Sequence, residues 1–134
     1  MIGDTSMRSL LEQRVIDYFH LVDSEDLAVI LELLTSDCVF TVKTQGVDLN
    51  GSEEISAMFR RLWARHQWVK HDQFHFVAEA SGNDIAVRFR VTNKLSDGGK
   101  VNKSNCNFFT VRDGLFSKIR VYMAGDNTLN THDE

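Results

Sequence analysis

The chain has 134 residues, 43% of them hydrophobic and 25% charged, enough apolar material for one core but not two, and without the signature of a disordered polymer. A formal charge of −4 with scattered Lys and Arg excludes the basic stripe that nucleic acid requires. Cys38 and Cys106 are too few for a disulfide framework, Met1 to Ser6 is too polar for an export signal, and no apolar run nears the ~18 residues that span a bilayer, so a cytoplasmic protein away from membranes is expected.

Met7, Leu10, Leu11, Val15, Tyr18, Phe19 and Val22 recur at helical spacing and predict a first helix, with Thr5 or Ser6 as its cap. A second, shorter helix is expected after Asp23 or Ser24, turning Leu27, Ile30, Leu31 and Leu34 inward and ending at Thr35-Ser36-Asp37. Cys38 to Lys43 alternates as a strand. After Asn50, Gly51 or Ser52 opens a third helix with the stripe Ile55, Met58, Phe59, Leu62, Trp63 and His66, and Glu53 and Glu54 suit the positive end of its dipole.

Beyond Trp68 the period changes to two. Val69 to Ala80, Ile85 to Leu95, Val101 to Arg112 and Leu115 to Met123 predict four long strands joined by glycine-bearing turns. Asp113-Gly114 is the dipeptide that a two-residue hairpin turn favours. Three helices ahead of an antiparallel meander make a single α+β domain, with the helices packed on a strongly bent sheet.

This order resembles the nuclear-transport-factor-2-like superfamily, a cone-shaped (cystatin-like) fold, and in particular its SnoaL-like branch. The resemblance runs over residues 8 to 125 and is carried by two segments, Asp17 to Leu27 and Phe108 to Arg120. It implies a homodimer joined through the outer sheet face, and an apolar pocket between the third helix and the concave sheet for a small apolar or aromatic molecule. In the dehydratases of this superfamily a tyrosine and an aspartate act with a strand histidine. Tyr18, Asp23 and His71 correspond, and His75 shares the face of His71 under strict alternation.

The chemistry so implied is a cofactor-independent elimination or isomerisation. His71 removes a proton beside a carbonyl, Tyr18 donates to the developing enolate oxygen, and Asp23 orients the histidine or assists the departing hydroxyl. Each residue has a plainer role with the same pattern: a core tyrosine, a helix cap and a structural histidine. A ketosteroid-isomerase-like enzyme is the rival. Tyr18 matches its oxyanion tyrosine, and about Asn107 stands where it has a second donor, an aspartic acid, which an amide can replace as donor; Val42 stands at its general base and cannot accept a proton. A non-catalytic binding or dimerisation domain is the alternative from another class.

Phe40, Phe59 and Trp63 are candidate wall residues of the pocket, with Asn105 and Asn107 as orienting groups. The two asparagines serve equally well on a strand edge facing water. Arg88, Arg90 and Arg120 alternate with apolar residues and suit an outer face, a subunit contact or an anionic ligand. Lys94, Lys100 and Lys103 gather around a glycine turn. No metal site is expected, because His71 and His75 would lie ~13 Å apart along a strand and the cysteines lack zinc spacing.

Overall fold

The computed structural model describes residues 2–124, with side chains from residue 10 onward. Helix α1 spans Ile2–Asp23, α2 Leu27–Glu32 and α3 Gly51–Arg65. Strands β1 (Leu34–Val42), β2 (Val47–Asn50), β3 (His66–Ala78), β4 (Asp84–Leu95), β5 (Lys100–Arg112) and β6 (Leu115–Met123) form one sheet in the order β2-β1-β6-β5-β4-β3. Every pairing is antiparallel except β1 with β6. The fold is α+β, three helices against a curled open sheet.

Burial explains the placement of the helices. Val15, Tyr18, Phe19 and Val22 of α1 and Ile55, Met58, Phe59 and Leu62 of α3 face inward onto Val87, Phe89, Phe109, Phe116 and Ile119 of the sheet. Each such side chain contributes about 1.5–3 kcal/mol when taken fully from water. Asp113 and Gly114 both have positive φ, 55° and 80°, the conformation that a type I′ hairpin turn needs.

Several local expectations are corrected. The backbone is already helical from Ile2, so Thr5 and Ser6 lie within α1; their side chains and that of Met7 fall outside the described residues. Asp26, not Asp23 or Ser24, caps α2, accepting the Val29 N–H at 3.3 Å. Leu34 and Thr35 belong to β1, because α2 stops at Glu32. Asn50 precedes α3 as its cap residue, and its N–H donates to Glu54 Oε1 at 2.8 Å. The short strand β2 has no run of apolar residues to announce it, and it exists by pairing with β1. His66 leaves the α3 stripe and opens β3.

The most consequential irregularity lies in β3. His71 pairs with Val91, Asp72 with Arg90 and His75 with Arg88, so three steps on β3 oppose two on β4. This is a β-bulge, and Gln73 within it has φ 60°. The extra residue reverses the alternation. His71 shares the inward face with Val91, Phe74 packs on Phe19 and Phe89, and His75 joins Arg88 in an outer groove. The equivalence of His71 and His75 under strict alternation is therefore lost.

Candidate functional site

Between α1, α3 and the concave sheet lies a cavity of about 70 Å³. Tyr18, Phe19, Phe40, Phe59, Phe89 and Met58 form much of its apolar wall, and His71, Asn93, Lys103, Asn105 and Asn107 supply polar groups. Its volume is about half the ~150 Å³ that accommodates benzene. Met58 and Met123 also line it, and their unbranched side chains are the easiest of the wall to repack.

Asp23 and His71 meet. The Asp23 carboxylate accepts from the backbone N–H of His71 at 2.8 Å through Oδ2, and its Oδ1 lies 2.6 Å from His71 Nδ1. The side chains are 20% and 10% exposed, so the contact is largely withdrawn from solvent. A carboxylate only accepts, so Nδ1 carries the proton, and the free lone pair of the neutral form lies on Nε2. Phe19 stacks on the imidazole at 4.7 Å and Phe89 lies against it at 5.5 Å, which fixes the ring plane. The last residue of α1 is thereby tied to β3, and Asp23 spends its carboxylate on the histidine rather than on a helix cap.

Tyr18 stands apart from this pair. Among the described residues no hydrogen bond joins it to Asp23 or His71; the Phe19 ring touches both Tyr18 and His71. Its ring packs edge-on against Phe59, Phe109 and Phe116. Burial, reinforced by nearby Cys38, pushes the phenol pKa upward, so the group remains a protonated donor.

Phe40 and Phe59 line the cavity, edge to face at 6.3 Å. Trp63 does not. It stacks behind Phe59 at 5.5 Å, and its indole N–H donates to the Val22 carbonyl at 2.9 Å. Asn105 and Asn107 are buried cavity residues rather than a wet strand edge. Val42 is fully buried among apolar neighbours and does not line the cavity. Of the arginines, Arg90 pairs with Asp72 at 2.9 and 2.8 Å, Arg120 donates to Thr110, and Arg88 lines the outer groove. None lines the cavity.

Sequence reasoning missed Asn93 and Lys103. Lys103 leaves the group at the glycine turn and is buried on the cavity wall. Its parity with Asn105, Asn107 and Phe109 along β5 was the available signal. His66, expected on the inward stripe of α3, is buried at the start of β3; its Nδ1 lies 2.6 Å from the Leu62 carbonyl, and burial lowers its pKa.

The SnoaL-like domain matches residues 15–119. The chain belongs to the SnoaL-like family. Similar solved structures include a candidate polyketide cyclase from Xanthomonas campestris pv. campestris, with 18% identity over 87% of this chain and 91% of that one and a TM-score of 0.80. Another is SalBIII, an epoxide hydrolase/cyclase-like enzyme in pyran ring formation in the polyether salinomycin, with 18% identity, 87% and 92% coverage and a TM-score of 0.77. A third, PrhC from Penicillium brasilianum, has 17% identity, 88% and 82% coverage and a TM-score of 0.78. At these identities the likeness is one of fold. No curated protein matches the sequence.

Proposed function

We propose that this SnoaL-like chain is a cofactor-independent acid–base catalyst, a dehydratase-like lyase or an isomerase, acting on a small cyclic or aromatic carbonyl compound. The observation that carries the reading is His71, on the wall of a mostly apolar cavity and held from behind by the Asp23 carboxylate. His71 Nε2 removes the proton beside the carbonyl, and the electron pair becomes a carbon–carbon double bond as hydroxide leaves the next carbon. The imidazolium returns its proton to that hydroxide, so a hydroxylated ketone yields an enone and water. Asp23 holds the tautomer and offsets the charge that appears on the ring. Tyr18, a buried donor on the same wall, suits the enolate oxygen.

Hydroxylated cyclic ketones, screened by the ultraviolet absorbance of the enone and by exchange of the α-proton for deuterium, test the scheme. Turnover or exchange in the wild type that falls at least a hundredfold in His71→Gln is expected. Equal rates in the two proteins would remove His71 as the base.

The small cavity volume favours one other reading, a binding or assembly domain whose aromatic side chains fill the cone. Saturable ligand binding without exchange or elimination selects it. A homodimer through the outer sheet face is supported by exposed Phe108 and Tyr122, which pack against each other at 5.6 Å. Sedimentation of wild type and Phe108→Glu tests it. The free cysteines suit a reducing compartment such as the cytoplasm.

A further inference from the structure

Strand register sets His71, Val91 and Lys103 side by side in one row across β3, β4 and β5. Adjacent strands lie ~4.8 Å apart, so the backbones of His71 and Lys103 are separated by roughly 10 Å. Both residues line the cavity, and Lys103 is 5% exposed. Lysine is among the residue types least often buried. Its place on the wall of a mostly apolar cavity, two strands from a histidine, fits the recognition of charge. Burial is the main cause of the lowered pKa of His66, and the charge of Lys103 adds to it. Asn93 pairs with Val101, two residues before Lys103, so this end of the cavity gathers Asn93 and Lys103.

Two amide oxygens on the same wall lack partners. Oδ1 of Asn93 and Oδ1 of Asn107 are buried without a hydrogen bond, on side chains only 2% and 3% exposed, and both residues line the cavity. Buried amides of this kind lose stability unless something completes their bonds. A hydroxyl group does so, donating to one oxygen. The tyrosine and histidine serve the reacting atoms in the scheme above and leave these groups unused.

The geometry points to a ligand-selecting subsite in which Lys103 takes a carboxylate while Asn93 and Asn107 take hydroxyl donors. The preferred ligand is then a small hydroxy acid. The subsite deepens the proposed function by resting on the same cavity, but it does not depend on His71 acting as a base.

Titration calorimetry with salicylate and with salicylamide, its neutral isostere, reads the charge preference on the unmodified protein. The acid is expected to bind about tenfold or more tightly than the amide, the scale of one charge-assisted hydrogen bond. Lys103→Met should erase that difference while amide binding persists, and Asn93→Leu should weaken both ligands by about fivefold or more. Should Lys103→Met fail to fold, the wild-type contrast stands, and the Nζ resonance of ¹⁵N-labelled Lys103 should shift with the acid alone. His71→Gln should keep the preference for the acid, so lost turnover with retained preference separates the acid–base scheme from the subsite. Equal affinity for acid and amide, absence of saturable binding by either at millimolar concentration, or an undiminished preference in Lys103→Met overturns the assignment.

Discussion

Replacing Asp23 tests whether the carboxylate sets the chemistry of His71 as well as the docking of α1 on β3. Asp23→Ala removes two hydrogen bonds at once, to a backbone N–H and to Nδ1. Bonds to a charged group contribute roughly 1.5–3 kcal/mol each, and the 20% exposure of Asp23 lets water replace part of that, so a loss of about 2–4 kcal/mol is expected. For a chain of this length that lowers Tm by roughly 6–16 °C. Asp23→Asn is the sharper perturbation. One amide oxygen can accept from the backbone N–H, but the amide nitrogen then faces Nδ1 and must donate to it. The imidazole shifts its proton to Nε2, and the lone pair of that atom is lost while the fold is kept at a cost of about 1–2 kcal/mol. Urea denaturation measures the stability, and long-range proton–nitrogen spectra of the imidazole identify the tautomer. An Asn variant that keeps its proton on Nδ1, or an Ala variant with unchanged stability, would refute the reasoning.

Other perturbations follow from the same contacts. His66 has a lowered pKa in the fold, so the unfolded chain takes up its proton first as pH falls below about 6.5; stability is full above that value and declines toward the folded pKa. Urea midpoints at neutral and mildly acid pH should differ less in His66→Gln than in wild type, and equal differences would dismiss His66 as the cause. Gln73→Val places a β-branched residue at φ 60° and should cost about 1–2 kcal/mol by the same measurement, whereas no loss would argue against the bulge. Trp63→Phe removes the bond to the Val22 carbonyl and should cost about 1 kcal/mol, leaving ligand affinity unchanged because Trp63 does not line the cavity. Asn107→Leu removes an unpartnered buried amide and should raise stability by up to about 1 kcal/mol while weakening ligand binding.

The long strands were legible because alternation and glycine turns act locally: β6 was placed at Leu115–Met123, and β4 and β5 began one residue earlier than expected. The end of α1 was less so. Asp23, Ser24 and Asp26 are all good caps within four residues, and which of them caps α2 is decided by His71, 48 positions away. The bulge at Gln73 was invisible because register belongs to a pair of strands, and only the pairing with Arg88 and Arg90 reveals the extra residue. Within the candidate site, Phe40, Phe59, Asn105 and Asn107 were placed by strand and helix parity. Trp63 followed the same helical stripe but lies one layer behind, since periodicity gives a direction and not a depth. Lys103 was read by its type rather than its parity.

The polar content of the cavity bears on whether it is a site or merely a packing defect. A void left by imperfect packing is ordinarily apolar, since unpaired polar groups would be costly there. Here the wall carries a histidine fixed by a carboxylate, a lysine and three asparagines, two of them with unmatched oxygens. Leucine at Asn93 and Asn107 would preserve their approximate volume and remove both unmatched groups, so packing alone gives no reason for the amides. The inward face of β5 makes the contrast within a single strand. Phe109 is sealed in the aromatic core, and the same face then presents Asn107, Asn105 and Lys103 to the cavity in successive pairs of residues. A strand that changes from apolar to polar along one buried face, where the cavity begins, is the arrangement that the proposed hydroxy-acid ligand requires.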